Sequence, residues 1–165
     1  GRGPSRLSLP EEAHMIPKLA PGEIQAFVEK PFDFVARCGL RALELAPRRV
    51  RLGMPLAGNT NHFGAMYAGA LFTVAEIPGG ALFLTTFDVT RFYPVIKEMT
   101  IRFRRPAFSD VTVEVELSPE EAARIAAEAE ARGKAEFVLE GAVRDGDGTV
   151  VAETRGVYQI RRLES

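Results

Sequence analysis

The spacing of apolar residues changes several times along the chain, and each change marks an element. From Gly22 onward Ile24, Phe27 and Val28 recur at helical spacing, Pro31 interrupts the run, and Phe32, Val35 and Leu40 continue it. Two short helices sharing one apolar stripe are predicted. The segment before them, Leu9 to Ala20, is broken by Pro10 and Pro17. Residues 1–21 therefore read as an N-terminal extension, and 22–165 as a single domain. Between Leu43 and Leu56 the period falls to two, with Val50, Leu52 and Met54 set against Arg49, Arg51 and Gly53. That pattern predicts one strand, bent near Pro47.

The next stretch has no period at all. Ala65 to about Leu84 is apolar on every side and rich in Ala and Gly. A helix hydrophobic all round has to be enclosed, and small side chains let other backbones approach it, so this helix is predicted to be the core. Beyond it, Ile96 to Arg105 alternates (Met99, Ile101, Phe103 against Thr100, Arg102, Arg104), and so does Val111 to Leu117. Ser109-Asp110 reads as a turn that pairs these two strands antiparallel. Ser118-Pro119-Glu120-Glu121 combines an N-cap, a first-turn Pro and a capping box, and Gly133 stops the helix. Within it only Ile125 is large and apolar, which places it on the surface. Ala135 to Arg144 and Thr149 to Arg161 are strands joined by Asp145-Gly146-Asp147-Gly148, a hairpin signal. The sum is an α+β arrangement, a mostly antiparallel sheet around one apolar helix.

Composition narrows the function. With 165 residues, 46% of them hydrophobic and 26% charged, the chain can bury one sizeable core. Its 21 Lys and Arg nearly balance 22 Asp and Glu, which removes the electrostatic case for nucleic acid or a membrane surface as partner. One cysteine, Cys38, and two histidines leave no internal disulfide and no metal site to expect, and they fit a reducing, cytoplasmic setting. GRGPSRLSLPEEAHM offers no continuous apolar run suited to a secretory signal. Gly64 to Phe87 is apolar enough to raise a membrane span, but Glu76, Pro78 and Gly79-Gly80 argue against one. The chain holds no Gly-x-Ser-x-Gly elbow, Walker loop or dinucleotide fingerprint.

Glu76 is the single formal charge between Leu52 and Phe87. A carboxylate inside an apolar helix is costly, and no Lys or Arg lies within helical reach to pair with it. Burial raises the pKa of such a group, which suits a general base near neutral pH. If the helix begins at Ala65 to Tyr67, the N–H groups of Ala68 and Gly69 are orphan donors at its positive end, where an oxyanion is favoured. Asn61, on the preceding loop, offers a further amide. Each residue has a plainer explanation too. Glu76 can be a structural acid bonded to a Thr, a Tyr or a backbone N–H, Asn61 an Asx turn, and Gly64 and Gly69 turn or packing glycines. Tyr67 can be a packed ring, and His62 a solvated loop side chain. Arg102, Arg104, Arg105, Arg161 and Arg162 invite a phosphate, yet the strand period sets Arg102 and Arg104 on a solvated face.

The stretch NTNHFGAMYAGALFTVAE, residues 59–76, carries a resemblance. Hotdog-fold acyl-CoA thioesterases of the phenylacetyl-CoA and fatty-acyl-CoA type have a loop Asn, a Gly three residues on, His-Gly-Gly opening the helix, and an acid nine residues past that His. Asn61, Gly64, Tyr67-Ala68-Gly69 and Glu76 are similar in register, and GAVRDGDGTVVAETRGVYQI resembles the family's last hairpin. The likeness covers about Gly22 to Arg162 and is nearest to a branch of uncharacterised members. Tyr67 stands where His is usual; a phenol donates a hydrogen bond but is a poor proton shuttle at pH 7. Ala68 replaces the first Gly and keeps its N–H. The resemblance implies a hotdog fold, a homodimer or homotetramer, and an acyl-CoA or acyl-carrier thioester bound between subunits. It implies Glu76, Asn61, Tyr67, Ala68 and Gly69 as the catalytic set and His62, Gly64 and Arg105 as substrate contacts, with coenzyme A entering only as part of the substrate. Two other readings stay open. One is a hotdog hydratase or dehydratase, in which His62 followed by Glu76 resembles the His-Phe-Pro-Gly and downstream Glu pattern with one residue too many. The other is a non-catalytic acyl-CoA-binding protein.

Overall fold

In this computed structural model residues 16–164 are described, so most of the expected N-terminal extension lies outside the described residues. Helices α1 (Pro21–Glu29) and α2 (Asp33–Cys38) are followed by strands β1 (Arg41–Ala46) and β2 (Arg49–Met54) and by the long helix α3 (Ala68–Thr86). Then come β3 (Phe92–Phe103), β4 (Val111–Glu116), helix α4 (Pro119–Arg132), β5 (Lys134–Arg144) and β6 (Val150–Arg162). The strands form one antiparallel sheet in the order β1-β2-β4-β5-β6-β3. Its inner face closes on α3, burying Leu52, Val113, Phe137, Tyr158 and Ile160 against Leu71, Val74, Leu82 and Phe83. This is the hotdog fold, and α3 is its core helix. Among the described residues α3 is also the one helix long and apolar enough to cross a membrane, and the sheet packs over one side of it.

Three expectations from the sequence are corrected. The strand over 43–56 is two strands, a hairpin whose two-residue turn is Pro47-Arg48. Arg48 takes a left-handed φ of 66°, uncommon without a glycine. Two long-range bonds hold it there: its N–H donates to Thr86 Oγ1 at 2.9 Å, and its carbonyl accepts from the Leu117 N–H at 2.8 Å. Second, β3 and β4 are not partners. β3 pairs with β6, and β4 lies between β2 and β5. The link between them, 104–110, contains Pro106 and crosses between distant strands. It is pinned on the way, by Arg104 N–H to the Val151 carbonyl, by the Ala107 carbonyl accepting from Met66, and by Asp110 Oδ1 accepting from Leu56. Third, α3 begins at Ala68, because the Thr60–Met66 bridge and the Asn61 N–H to Ala65 carbonyl bond keep 65–67 in the loop.

The cap on α4 forms as the residues require. Ser118 Oγ accepts from the Glu121 N–H at 3.0 Å. The helix lies on the surface with Arg124 bonding Glu121 and Glu128 on its outer side, while Ile125 and Ala129 are fully buried beneath it.

Candidate active site

A cavity of about 610 Å³ opens beside the first half of α3. Gly69, Phe72, Thr73, Glu76 and Ile77 form its floor, Phe32 at the N-cap of α2 with Phe34 and Val35 inside that helix one wall, and Ile96, Lys97, Glu98 and Met99 of β3 the other. Four consecutive β3 residues reach the same cavity because the ladder to β6 slips between Ile96 and Glu98, leaving Lys97 as the extra residue of a bulge. Lys97 reaches across to Glu136 at 2.9 Å. The rim is apolar and unusually bare, with Phe32 57%, Phe34 55% and Phe72 39% exposed.

Glu76 stands in the middle of this floor, half-buried. Among the described residues its carboxylate has no hydrogen-bond or ion-pair partner. The two hydroxyls nearest in role are spent on main-chain carbonyls: Thr73 Oγ1 donates to Gly69 at 2.8 Å, and the Tyr158 phenol donates to the Glu76 carbonyl at 3.2 Å. Loss of solvent therefore acts on the acid unopposed and lifts its pKa above the ordinary 4.5. The Tyr158 phenol is pushed up as well, first by its own burial and then by the Glu76 charge.

The start of α3 supplies the donors. Tyr67 is the N-cap residue, and its carbonyl accepts from Ala70 at 2.9 Å and Leu71 at 3.1 Å. Ala68 and Gly69 occupy the first two helical positions, and among the described residues neither N–H has an acceptor, as the helix geometry requires. The Tyr67 ring folds over Gly69: a methyl group there would stand 2.5 Å from Tyr67 Cε1. The phenol itself has no partner among the described residues, and the ring is 60% exposed.

Other candidates fall elsewhere. Asn61 closes its own loop, its Oδ1 accepting from the Phe63 N–H at 2.9 Å and the Ala65 N–H at 3.1 Å. Gly64 turns that loop at φ 81° and donates to the Asn61 carbonyl at 3.1 Å. His62 is exposed, its ring tilted against Phe63 with centroids 4.0 Å apart, and Arg105 is exposed beyond the end of β3; neither lines the cavity. Arg104 is taken up by Glu153, with N–H to oxygen distances of 2.9 and 2.6 Å. Cys38 donates to the Phe34 carbonyl at 3.3 Å.

The sequence reading missed the walls. Phe32 and Phe34 flank a helix whose core contact needs only Val35, and that surplus of aromatic surface was the available signal. It also missed Asn59, whose side-chain amide bonds the Cys38 and Pro55 carbonyls, each at 2.8 Å, while its own carbonyl accepts from the Tyr67 N–H at 2.8 Å. One residue thus ties the end of α2 to the cap of α3.

Fold and cavity together define a hotdog protein with a lone carboxylate on the core helix and free N–H donors at that helix's start. The chain belongs to the family described as a domain of unknown function, DUF4442, which matches residues 23–160. A protein of unknown function from Pseudomonas aeruginosa, PA5026, named "Probable Thioesterase", is 53% identical with a TM-score of 0.84; the match covers 91% of this chain and 100% of that one. The thioesterase HI1161 from Haemophilus influenzae, 16% identical with a TM-score of 0.68, is covered over 94% of its chain and 89% of this one. A protein of unknown function from Chlorobaculum tepidum, 18% identical with a TM-score of 0.75, is covered over 94% of its chain and 86% of this one. At these two lower identities the likeness is one of fold. No curated protein gives a significant sequence match.

Proposed function

We propose that this protein hydrolyses the thioester bond of an acyl-CoA or acyl-carrier substrate, with Glu76 as the base. The observation that carries the reading is a half-buried carboxylate without a partner among the described residues, on the floor of an apolar cavity that also holds the free end of α3. Water bound beside Glu76 gives up a proton to the carboxylate as its oxygen adds to the thioester carbon. The carbonyl oxygen becomes negative and is held by helix-start N–H groups. The carbon–sulfur bond then breaks, and the thiolate recovers the proton from Glu76 and leaves as free thiol. The probable-thioesterase name of the relative at 53% identity agrees with this chemistry.

Glu76 lies seven residues beyond Gly69, about 10 Å along the helix axis at 1.5 Å per residue. The donors need to lie within about 3 Å of the carbonyl oxygen, and the base within about 3 Å of the attacking water. A separation of about 10 Å along one helix stretches that line of contacts to its limit within one chain. In this reading a second copy brings its helix start to the cavity mouth, so the working unit is a homodimer or a homotetramer. The bare aromatic rim and the unpaired outer edge of β3 are the surfaces such a copy would cover. Hydration of an enoyl thioester would call on His62 together with Glu76, and His62 lies outside the cavity wall.

The test is thiol release from a panel of acyl-CoAs, with light scattering on the same samples to count subunits. Release from at least one saturated acyl-CoA by an oligomer supports the reading; a monomer that releases none ends it. A milder effect is expected at the helix start. Gly69→Ala pushes only against Tyr67, whose exposed ring can swing away, so stability stays within about 0.5 kcal/mol of wild type. Release then falls as the ring is displaced from its place over the helix start, by less than the roughly 10²-fold loss that deleting a donor brings. Thermal melting and the release assay, read together, check both halves.

A further inference from the structure

One stripe of α3 serves two cavities. Gly69, Thr73, Glu76, Gly80 and Leu84 follow one another at spacings of three and four, which is one face of a helix. The larger cavity ends at Glu76 and Ile77, and a second of about 200 Å³ begins at the same two residues and runs on to Gly80 and Leu84. Phe32 belongs to both and stands at their junction. Apart from the Glu76 carboxylate at its entrance, the described residues around the second cavity are all apolar: Phe27, Pro31, Ala81, Leu84 and Pro94 are among them.

Gly80 is the opening in its floor. Among the described residues a methyl group built there would meet no heavy atom within 4 Å, whereas at Gly79, one residue earlier, it would overlap the Tyr158 ring. The absent side chain at position 80 is therefore not filled by a neighbour. It adds to the cavity.

We propose that the second cavity receives the hydrocarbon of the acyl group and that Gly80 sets the length admitted; this rests on the thioester reading given above. With the carbonyl beside Glu76, the two arms of the substrate have to leave in opposite directions. The polar, charged carrier arm belongs in the wide cavity, which opens to solvent and whose β3 wall carries Lys97. The acyl arm has only the second cavity, whose lining offers an apolar chain contact and a sugar or phosphate nothing to bond. From Glu76 to Gly80 is about 6 Å of helix axis, room for several methylenes.

The experiment compares wild type, Gly80→Ala and Gly80→Leu on acetyl-, butyryl-, octanoyl- and dodecanoyl-CoA, with calorimetric binding of octanoate and dodecanoate alongside. Gly80→Leu is expected to lower the ratio of long-chain to short-chain kcat/KM by about tenfold or more, since a single methylene in an apolar pocket already carries a factor of that order. Gly80→Ala shifts the ratio the same way and less. Melting temperatures stay level or rise, because a central helical glycine is the poorer helix former and no neighbour is displaced. A folded Gly80→Leu or, should that variant not fold, a folded Gly80→Ala whose rates scale equally for every chain length overturns the inference and leaves the thioester reading standing. If wild type releases thiol from none of the four, the thioester reading fails, and fatty-acid binding decides the rest. Octanoate bound by wild type and lost in the Gly80 variants sustains the chain pocket; binding absent from wild type, or equal in all three proteins, removes it.

Discussion

Glu76→Gln is expected to lower the proposed thioester hydrolysis by about 10²-fold or more while raising the melting temperature. The first half follows from general-base catalysis, in which a positioned carboxylate contributes about 10²–10⁴-fold and an amide of the same shape contributes none. The second follows from the same burial. The folded chain holds the Glu76 proton more tightly than the unfolded chain, because solvent loss penalises the charged form. Between the unfolded and the folded pKa the native state binds the extra proton, so stability is greatest below the unfolded value and declines as pH rises through the folded one. Above the folded pKa the wild type carries that penalty in full; Gln does not. The raised pKa also places the acid limb of the pH–rate profile above 4.5, where an ordinary Glu would put it. Turnover unchanged in the variant would take Glu76 out of the chemistry, and a lowered melting temperature would mean the carboxylate has a stabilising partner after all.

What the sequence discloses about this site is what a single element can carry. The unbroken apolar run of α3 announces a core helix, and one charge within it announces a site. Asp145-Gly146-Asp147-Gly148 fixes a hairpin, and it forms between β5 and β6. Alternation, by contrast, tells which face of β3 and β4 is inward and not which strand lies alongside, so β3 passes to the far edge beside β6 unannounced. Pro47-Arg48 gives no hairpin signal because its left-handed residue is an arginine, held by Thr86 and Leu117 from remote elements. The cavity walls are remote in the same sense. Phe32 and Phe34 precede Glu76 by some forty residues, and the Lys97 bulge exists only as a mismatch between two strands. Asn61 and Glu76 show the limit from the other side: both are visible in one motif, yet Asn61 spends its oxygen on its own loop, while the Glu76 carboxylate has no partner among the described residues.

Gly79→Ala is expected to destabilise the protein by about 2 kcal/mol, a fall of roughly 4–8 °C in melting temperature for a chain of this size. Elsewhere in a helix the change would stabilise by up to about 1 kcal/mol. Here the new methyl overlaps Cε1 and Cζ of Tyr158, and forced overpacking costs about 1–3 kcal/mol, with the upper end apt because the ring cannot retreat. Gly156 lies against its other edge, Phe137 stacks on it at 5.8 Å, and its hydroxyl is bonded to the Glu76 carbonyl. A double-mutant cycle isolates the cause. In a Tyr158→Leu background the same Gly79→Ala change should turn neutral or stabilising, giving a coupling well above 0.5 kcal/mol; an equal loss in both backgrounds would show that the ring is not the obstacle. The contrast with its neighbours follows from what each glycine faces. At Gly69 the opposing ring is exposed and can swing, at Gly80 no described residue stands within 4 Å, and at Gly79 the obstructing ring is the one that holds the carbonyl of Glu76, so the stability lost there and the placement of the carboxylate are set by the same contact.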